Sequence, residues 1–253
     1  MNHNKLILVP FIQFCLCAYS QNSNQFEGLG WENLKNKNYV IAQEYFSKCT
    51  FQSDDNFECL YGLAYSNYKL KNYIVADSIC NYMLLIDKTV REYKYIKTNG
   101  HWLKGLIQIQ LSYNKKAIDE LKKAIEYQNN PDILNALGLV YLKDNRLKKG
   151  IKYFKKAIQM DSLNAYAFNN LASAYLMLEK IDLAKLNLKY SENILPANPY
   201  LYKNKAKVAA YEGRYEEACK FIQTSKELGY KKFEFEDNSD DLESLIKKYC
   251  STR

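Results

Sequence analysis

The stretch NALGLVYLKDNRLKKGIKYFKKAI, residues 135–158, sets apolar and polar residues at helical spacing, yet Gly138, Gly150 and Ala157 stand at set offsets among its Leu, Tyr and Phe residues. Related patterns run through most of the chain. Gly and Pro are scarce, 9 and 4 residues, which disfavours a loop-rich β fold and favours helices. Residues 240–250, DDLESLIKKYC, read as one more amphipathic helix, with Leu242, Leu245, Ile246 and Tyr249 on one side. Acidic residues open it and lysines close it, the sense the helix dipole favours. The preceding FEFEDNSD reads as a linker, with Ser239 or Asp240 as the N-cap.

The small residues keep a fixed phase. Taking Gly138 as anchor, the matching positions are Gly30, Ala64, Gly105, Gly138, Ala172 and Ala206, in steps of 34, 41, 33, 34 and 34 residues. Twelve residues further on come Ala42, Ala76, Ala117, Gly150, Ala184 and Ala218. Two antiparallel helices approach to about 8 Å only where the side chains at their crossing are small, so Gly138 and Gly150 mark such a crossing. Ala157 then lets the next pair come close. The one long step adds about seven residues around DKTVREYKYIKTNG, either as a longer second helix or as an extra turn before Asn99.

The unit from Pro131, with Leu134, Leu137-Gly138, Tyr141, Gly150, Phe154 and Ala157, resembles the tetratricopeptide repeat, a helix–turn–helix unit of about 34 residues. Five further units keep the same phase. The resemblance implies an all-α fold, a right-handed α-solenoid of about six units at 23–56, 57–90, 98–130, 131–164, 165–198 and 199–232 within an array over 21–232. Residues 233–253 then form the linker and a capping helix.

The N-terminus, MNHNKLILVPFIQFCLCAYSQNSN, has Lys5 as its one charged residue before a short apolar run and Ala18-Tyr19-Ser20. It resembles a bacterial secretory signal cut after Ser20. Pro10 and the shortness of the run argue against a membrane span. Phe14 and Leu16, ahead of Cys15 and Cys17, stand where a lipoprotein signal needs a small residue. The mature chain is thus expected to be secreted, in the periplasm or cell envelope, with no transmembrane span. Cys49, Cys59, Cys80, Cys219 and Cys250 would remain; their spacing marks no disulfide framework or zinc site, and their pairing stays open. The formal charge of +8 is spread over nearly every helix, with Glu and Asp among the lysines, so no nucleic-acid partner is expected.

Little in the sequence speaks for catalysis. His101 is the one histidine after residue 20, and phosphate-loop and dinucleotide motifs are absent, so no enzyme activity, cofactor or metal is expected. The acidic cluster from Glu234 to Glu243 lacks EF-hand spacing. The resemblance implies a concave groove lined by the first helices. Its positions here hold Trp31, Tyr61, Tyr65, Tyr68 and Trp102, then Tyr166, Asn169, Tyr200, Lys203 and Lys207. Tyr61, Tyr65 and Tyr68 form one helical stripe, either anchors for a peptide or rings packed on their neighbours. Lys203 and Lys207 would favour acidic segments. The carboxylate clamp of chaperone-docking repeats is incomplete: Asn170 fits, but Leu139, Tyr200 and Asn204 replace its other members. The expected function is a scaffold that binds a protein or peptide in its groove. The alternative is a structural subunit of an envelope assembly, bound through the convex face or the ends.

Overall fold

A computed structural model describes residues 23–86, 90–230 and 242–250. Among them lie thirteen helices and no strand. The expected signal segment, and the linker with its N-cap at Ser239 or Asp240, fall outside the described residues. The chain divides into two compact units, Met1–Ile107 and Gln108–Arg253. The first holds α1 (23–35), α2 (Tyr39–Gln52), α3 (Phe57–Lys69), α4 (Tyr73–Leu85) and most of α5 (Val90–Gln110). The second continues with α6 (Asn114–Tyr127), α7 (Pro131–Lys143), α8 (Leu147–Met160), α9 (Ala165–Met177), α10 (Ile181–Ile194), α11 (Pro199–Tyr211), α12 (Tyr215–Glu227) and α13 (Leu242–Tyr249). Among the described residues no helix is long and apolar enough to cross a membrane.

The helix boundaries follow from local chemistry. The turn inside each of the six helix pairs carries a residue in the left-handed region, Lys37, Lys71, Ser112, Asn145, Glu179 and Gly213, and Gly229 does the same after α12. The first six repeat the phase of the small-residue anchors. In each, the next N–H reaches a carbonyl five residues back, as from Arg146 to Tyr141 at 2.8 Å and from Lys180 to Tyr175 at 2.9 Å. This is the Schellman closure, which satisfies carbonyls the helix end leaves open. The next first helix is then started by an asparagine. The side chains of Asn56, Asn130, Asn164 and Asn198 accept hydrogen bonds from the backbone N–H of Cys59, Asp132, Ala167 and Tyr200 at 2.8–3.1 Å. The same register places Lys97 where another asparagine cap would stand, and there the chain stays helical. α5 begins at Val90 and runs 21 residues, so the long step is extra helix before Asn99.

The crossing of α7 and α8 shows why glycine is needed. A Cβ added to Gly138 would lie 2.5 Å from Cε1 of Phe154, a fully buried ring, and one added to Gly150 would lie 2.9 Å from the carbonyl oxygen of Gly138. Ala157 is buried with Leu134 and Ala167, so α9 closes on α8 over a methyl group. In the first unit Phe46 plays the part of Phe154, held between Gly30 and Gly62.

Two disulfides pair cysteines that the sequence left open. Cys49 on α2 joins Cys59 on α3, and Cys219 on α12 joins Cys250 just past α13; Cys80 is a buried thiol. Glu27 lies against the first pair, but sulfurs bonded to each other are not the thiolates a metal would need. The second pair ties down the capping helix. Leu242 and Leu245 pack on Ala206, Ala210, Ala218 and Ile222, with Ile246 and Tyr249 at the edge, the side that the sequence pattern marks as apolar.

Candidate binding surface

In the first unit α3 presents a row of rings. Phe57, Tyr61, Tyr65 and Tyr68 recur at helical spacing, and each touches the next with centroids 6.0–6.1 Å apart. Trp31 of α1 leans on Tyr61 at 6.2 Å and on Phe46 at 5.2 Å, which ties the row to the core. Tyr73 extends it past Tyr68, and Tyr95 of α5 meets Phe57 edge-on at 5.3 Å. Lys69 caps the row, its ammonium 5.1 Å from the Tyr65 ring and 5.6 Å from that of Tyr68. Trp31, Tyr61, Tyr65 and Tyr68 are all partly buried: the three tyrosines pack on the cluster of Leu60, Ala64 and Leu103, and Trp31 on that of Ala42, Phe46 and Cys59, while part of the row meets solvent. Tyr61 lies deepest. Burial raises the pKa of both Tyr61 and Tyr65, so both remain neutral phenols, able to donate a hydrogen bond. Trp102 stands apart from the row, and its indole N–H is buried with no acceptor among the described residues.

A cavity of about 310 Å³ opens at the end of this row, lined by Asp55, Phe57, Glu58, Glu92 and Tyr95 among others. Burial, then the charge of Glu27, pushes the carboxyl of Glu58 up, against a hydrogen bond from Tyr95. Phe57 could have been found from sequence, since it sits four residues before Tyr61 on the same stripe. Tyr95 could not, because its place depends on the added turns of α5.

In the second unit the expected groove residues do not form a row. Tyr166 is 54% exposed. Asn169 is buried and accepts a hydrogen bond from the amide of Asn204 at 3.0 Å, linking α9 to α11; Asn170 and Asn135 make the same link between α9 and α7 at 3.1 Å. The side chain of Asn169 thus joins helices. Tyr200 meets Tyr230 edge-on at 5.3 Å, and Lys203 is 5% exposed, with its ammonium 3.3 Å from the Tyr230 hydroxyl and over its ring. The expectation that Lys203 draws in an acidic segment therefore meets a covering ring. Lys207 is half-buried.

With this geometry in place, the likeness to known proteins is direct. The family model described as tetratricopeptide repeat matches residues 99–131 and 131–162. The tetratricopeptide repeat domain-containing protein PYG7, chloroplastic, of Arabidopsis thaliana is 29% identical over 119 residues, 43% of this chain and 39% of that protein. Among solved structures, the APC/C hetero-tetramer Cut9–Hcn1 superposes with a TM-score of 0.74 at 17% identity, over 98% of this chain and 46% of that one. PilW, a type IV pilus biogenesis factor, gives 0.67 at 17% identity, over 84% of this chain and 96% of that one. YrrB, a TPR protein with an unusual peptide-binding site, gives 0.50 at 16% identity, over 73% and 92%. The chain spans less than half the length of PYG7 and of the Cut9–Hcn1 chain. Residues 99–162 match the tetratricopeptide repeat, and the fold of the chain is the all-α solenoid of that class.

Proposed function

We propose that this protein is a non-enzymatic scaffold that works outside the cytoplasm and captures an extended protein segment on the ring row of α3. The observation that carries the reading is the unbroken contact from Trp31 through Tyr61 and Tyr65 to Tyr68, partly open to solvent and anchored below. Aromatic rings held rigid lose little entropy on binding and contribute large contact area, which is why they dominate interface energetics. The two disulfides support an oxidising compartment, and the signal-like N-terminus agrees with it. The peptide-binding site of YrrB supports the same use in a repeat array of this kind.

A second reading has its own observation. The outward faces of α2 and α4 expose Val40, Phe51, Ile74 and Leu85 at 65–89%, an apolar surface of the kind a structural subunit would bury in an assembly. The experiment is quantitative affinity capture from the envelope fraction with three forms of the protein: wild type, Tyr65→Ala/Tyr68→Ala, and Val40→Ser/Ile74→Ser. A partner lost only with the tyrosines supports the groove. A partner lost only with Val40 and Ile74 replaces it with the structural role.

A further inference from the structure

The outward positions of the second helices hold opposite chemistry at one register. Where α4 has Ile74, Val75 and Leu85, α8 has Lys148, Lys149 and Gln159, with Lys152, Lys155 and Lys156 between. At about 100° per residue these five lysines fall within one arc of about 120°. All five are exposed, and α8 contains no Asp or Glu. Among the described residues none of the five has a carboxylate partner; Lys149 and Lys156 lie over the rings of Tyr141 and Tyr153 at 5.7 and 5.8 Å. In the same unit α6 carries Lys115, Lys116, Lys122 and Lys123 at matching positions, diluted by Asp119 and Glu126.

We propose that the outward face of α8 is a docking surface for an acidic segment of a partner protein, separate from the ring row of α3. Five unneutralised ammonium groups on about 12 Å of helix set up a local positive field that an acidic chain would complete. The make-up of the face favours a polypeptide over the other polyanions. A face that inserts into a bilayer carries apolar side chains among its cations, and the outward positions from Lys148 to Gln159 have none. Nucleic-acid surfaces that read bases or stack on single strands add guanidinium groups and open rings to their phosphate-binding lysines. Here Arg146 is engaged by Asp144 at 3.5 Å and by the Tyr141 ring, and Tyr153 stacks on Tyr141. Lysines on flexible stems suit the scattered carboxylates of Asp- and Glu-rich chain.

The test uses the full oxidised protein and a short fluorescein-labelled peptide of alternating Glu and Ser, read by anisotropy. Lys148→Gln/Lys152→Gln/Lys155→Gln is compared with Lys180→Gln/Lys189→Gln/Lys226→Gln, which removes the same charge from exposed sites elsewhere. Thermal melts confirm that both fold. The expected result is saturable, salt-sensitive binding by wild type, weakened about tenfold or more by the α8 variant and less than about twofold by the control. Equal loss in both variants would reduce the effect to net charge and overturn the proposal. So would the absence of saturable binding, or tighter binding to phosphatidylglycerol vesicles or duplex DNA than to the peptide.

Discussion

The α1–α2 pair of the first unit and the α7–α8 pair of the second share one interior and differ on their outer surfaces. In both, a glycine on the first helix faces a buried phenylalanine sixteen residues on, Gly30 with Phe46 and Gly138 with Phe154. Outside, α2 shows Val40, Ile41 and Phe51 where α8 shows lysines and Gln159. Packing density dictates the inner positions, since a core admits few volumes. Nothing within the fold dictates the outer ones, so their contrast reports what each unit meets in solution. The two units can be separated experimentally by changes that strike one and spare the other.

The largest effect should come from the disulfides. In the chain-entropy picture a crosslink stabilises more when it closes a longer loop. Cys49–Cys59 spans 10 residues and Cys219–Cys250 spans 31. Replacing the second pair by serine should therefore cost about 4 kcal/mol and the first about 3 kcal/mol. Urea melts of the two double variants check the order. Loss of the second pair should also release α13, read as faster amide exchange over Leu242–Tyr249. An equal cost for both would mean that α13 is held by its apolar side alone.

Next comes the glycine–phenylalanine pairing. Across the repeats, glycine at the anchor goes with Phe or Leu sixteen residues on, and alanine with Cys, Leu or Ile: Ala64 with Cys80, Ala172 with Leu188, Ala206 with Ile222. The two positions share one volume. Gly138→Ala should cost about 1–3 kcal/mol by overpacking. Adding Phe154→Leu should restore at least about 1 kcal/mol of that in a double-mutant cycle. Rescue of Gly30→Ala by Phe46→Leu should be poorer, because Phe46 also fills the space beside Gly62 and a leucine would leave a gap there.

How much of this could be read beforehand depends on the distance over which each signal acts. The six helix pairs and the apolar side of α13 were legible, because helical period and small-residue phase are carried within one unit. The cysteine pairs were not, since Cys49 meets Cys59 only once α2 and α3 fold back on each other. The lysine face of α8 was hidden for a simpler reason. Gly150, Ile151, Tyr153 and Phe154 interrupt it along the chain, and only winding at the helical angle gathers the charges together. Lys203 misled in the opposite way: its register suggested an open groove, but Tyr230, beyond α12, lies over it.

A smaller gain is expected at the turns. Lys37 holds φ at 62° while Gly213 does the same task with glycine. A left-handed side chain costs about 1 kcal/mol or more, part of which returns when glycine widens the unfolded ensemble. Lys37→Gly should therefore raise stability by about 0.5 kcal/mol, seen as a higher urea midpoint at unchanged slope. In the second unit Asn145→Gly should gain less, because asparagine tolerates this conformation better than lysine does.

The finest contrast sets Lys69 against Lys143, which hold the same repeat position in the two units. Lys69 is exposed above the Tyr65 and Tyr68 rings. Lys143 is partly buried at the end of α7, its ammonium 3.4 Å from the carbonyl of Ile109, and burial pushes its pKa from 10.5 down to about 8. A depressed lysine means that the unfolded chain binds more protons between those values. Stability should then rise as pH climbs from about 8 towards 10.5, and the cost of the buried charge is fully present below about 8. Met177 occupies the equivalent place in the next repeat, so methionine fits the position. Lys143→Met should flatten the rise and stabilise the protein at pH 7 by less than about 1 kcal/mol, given the solvent that still reaches the amine. An identical slope in wild type and Lys143→Met would show that the ammonium is already solvated in the folded chain.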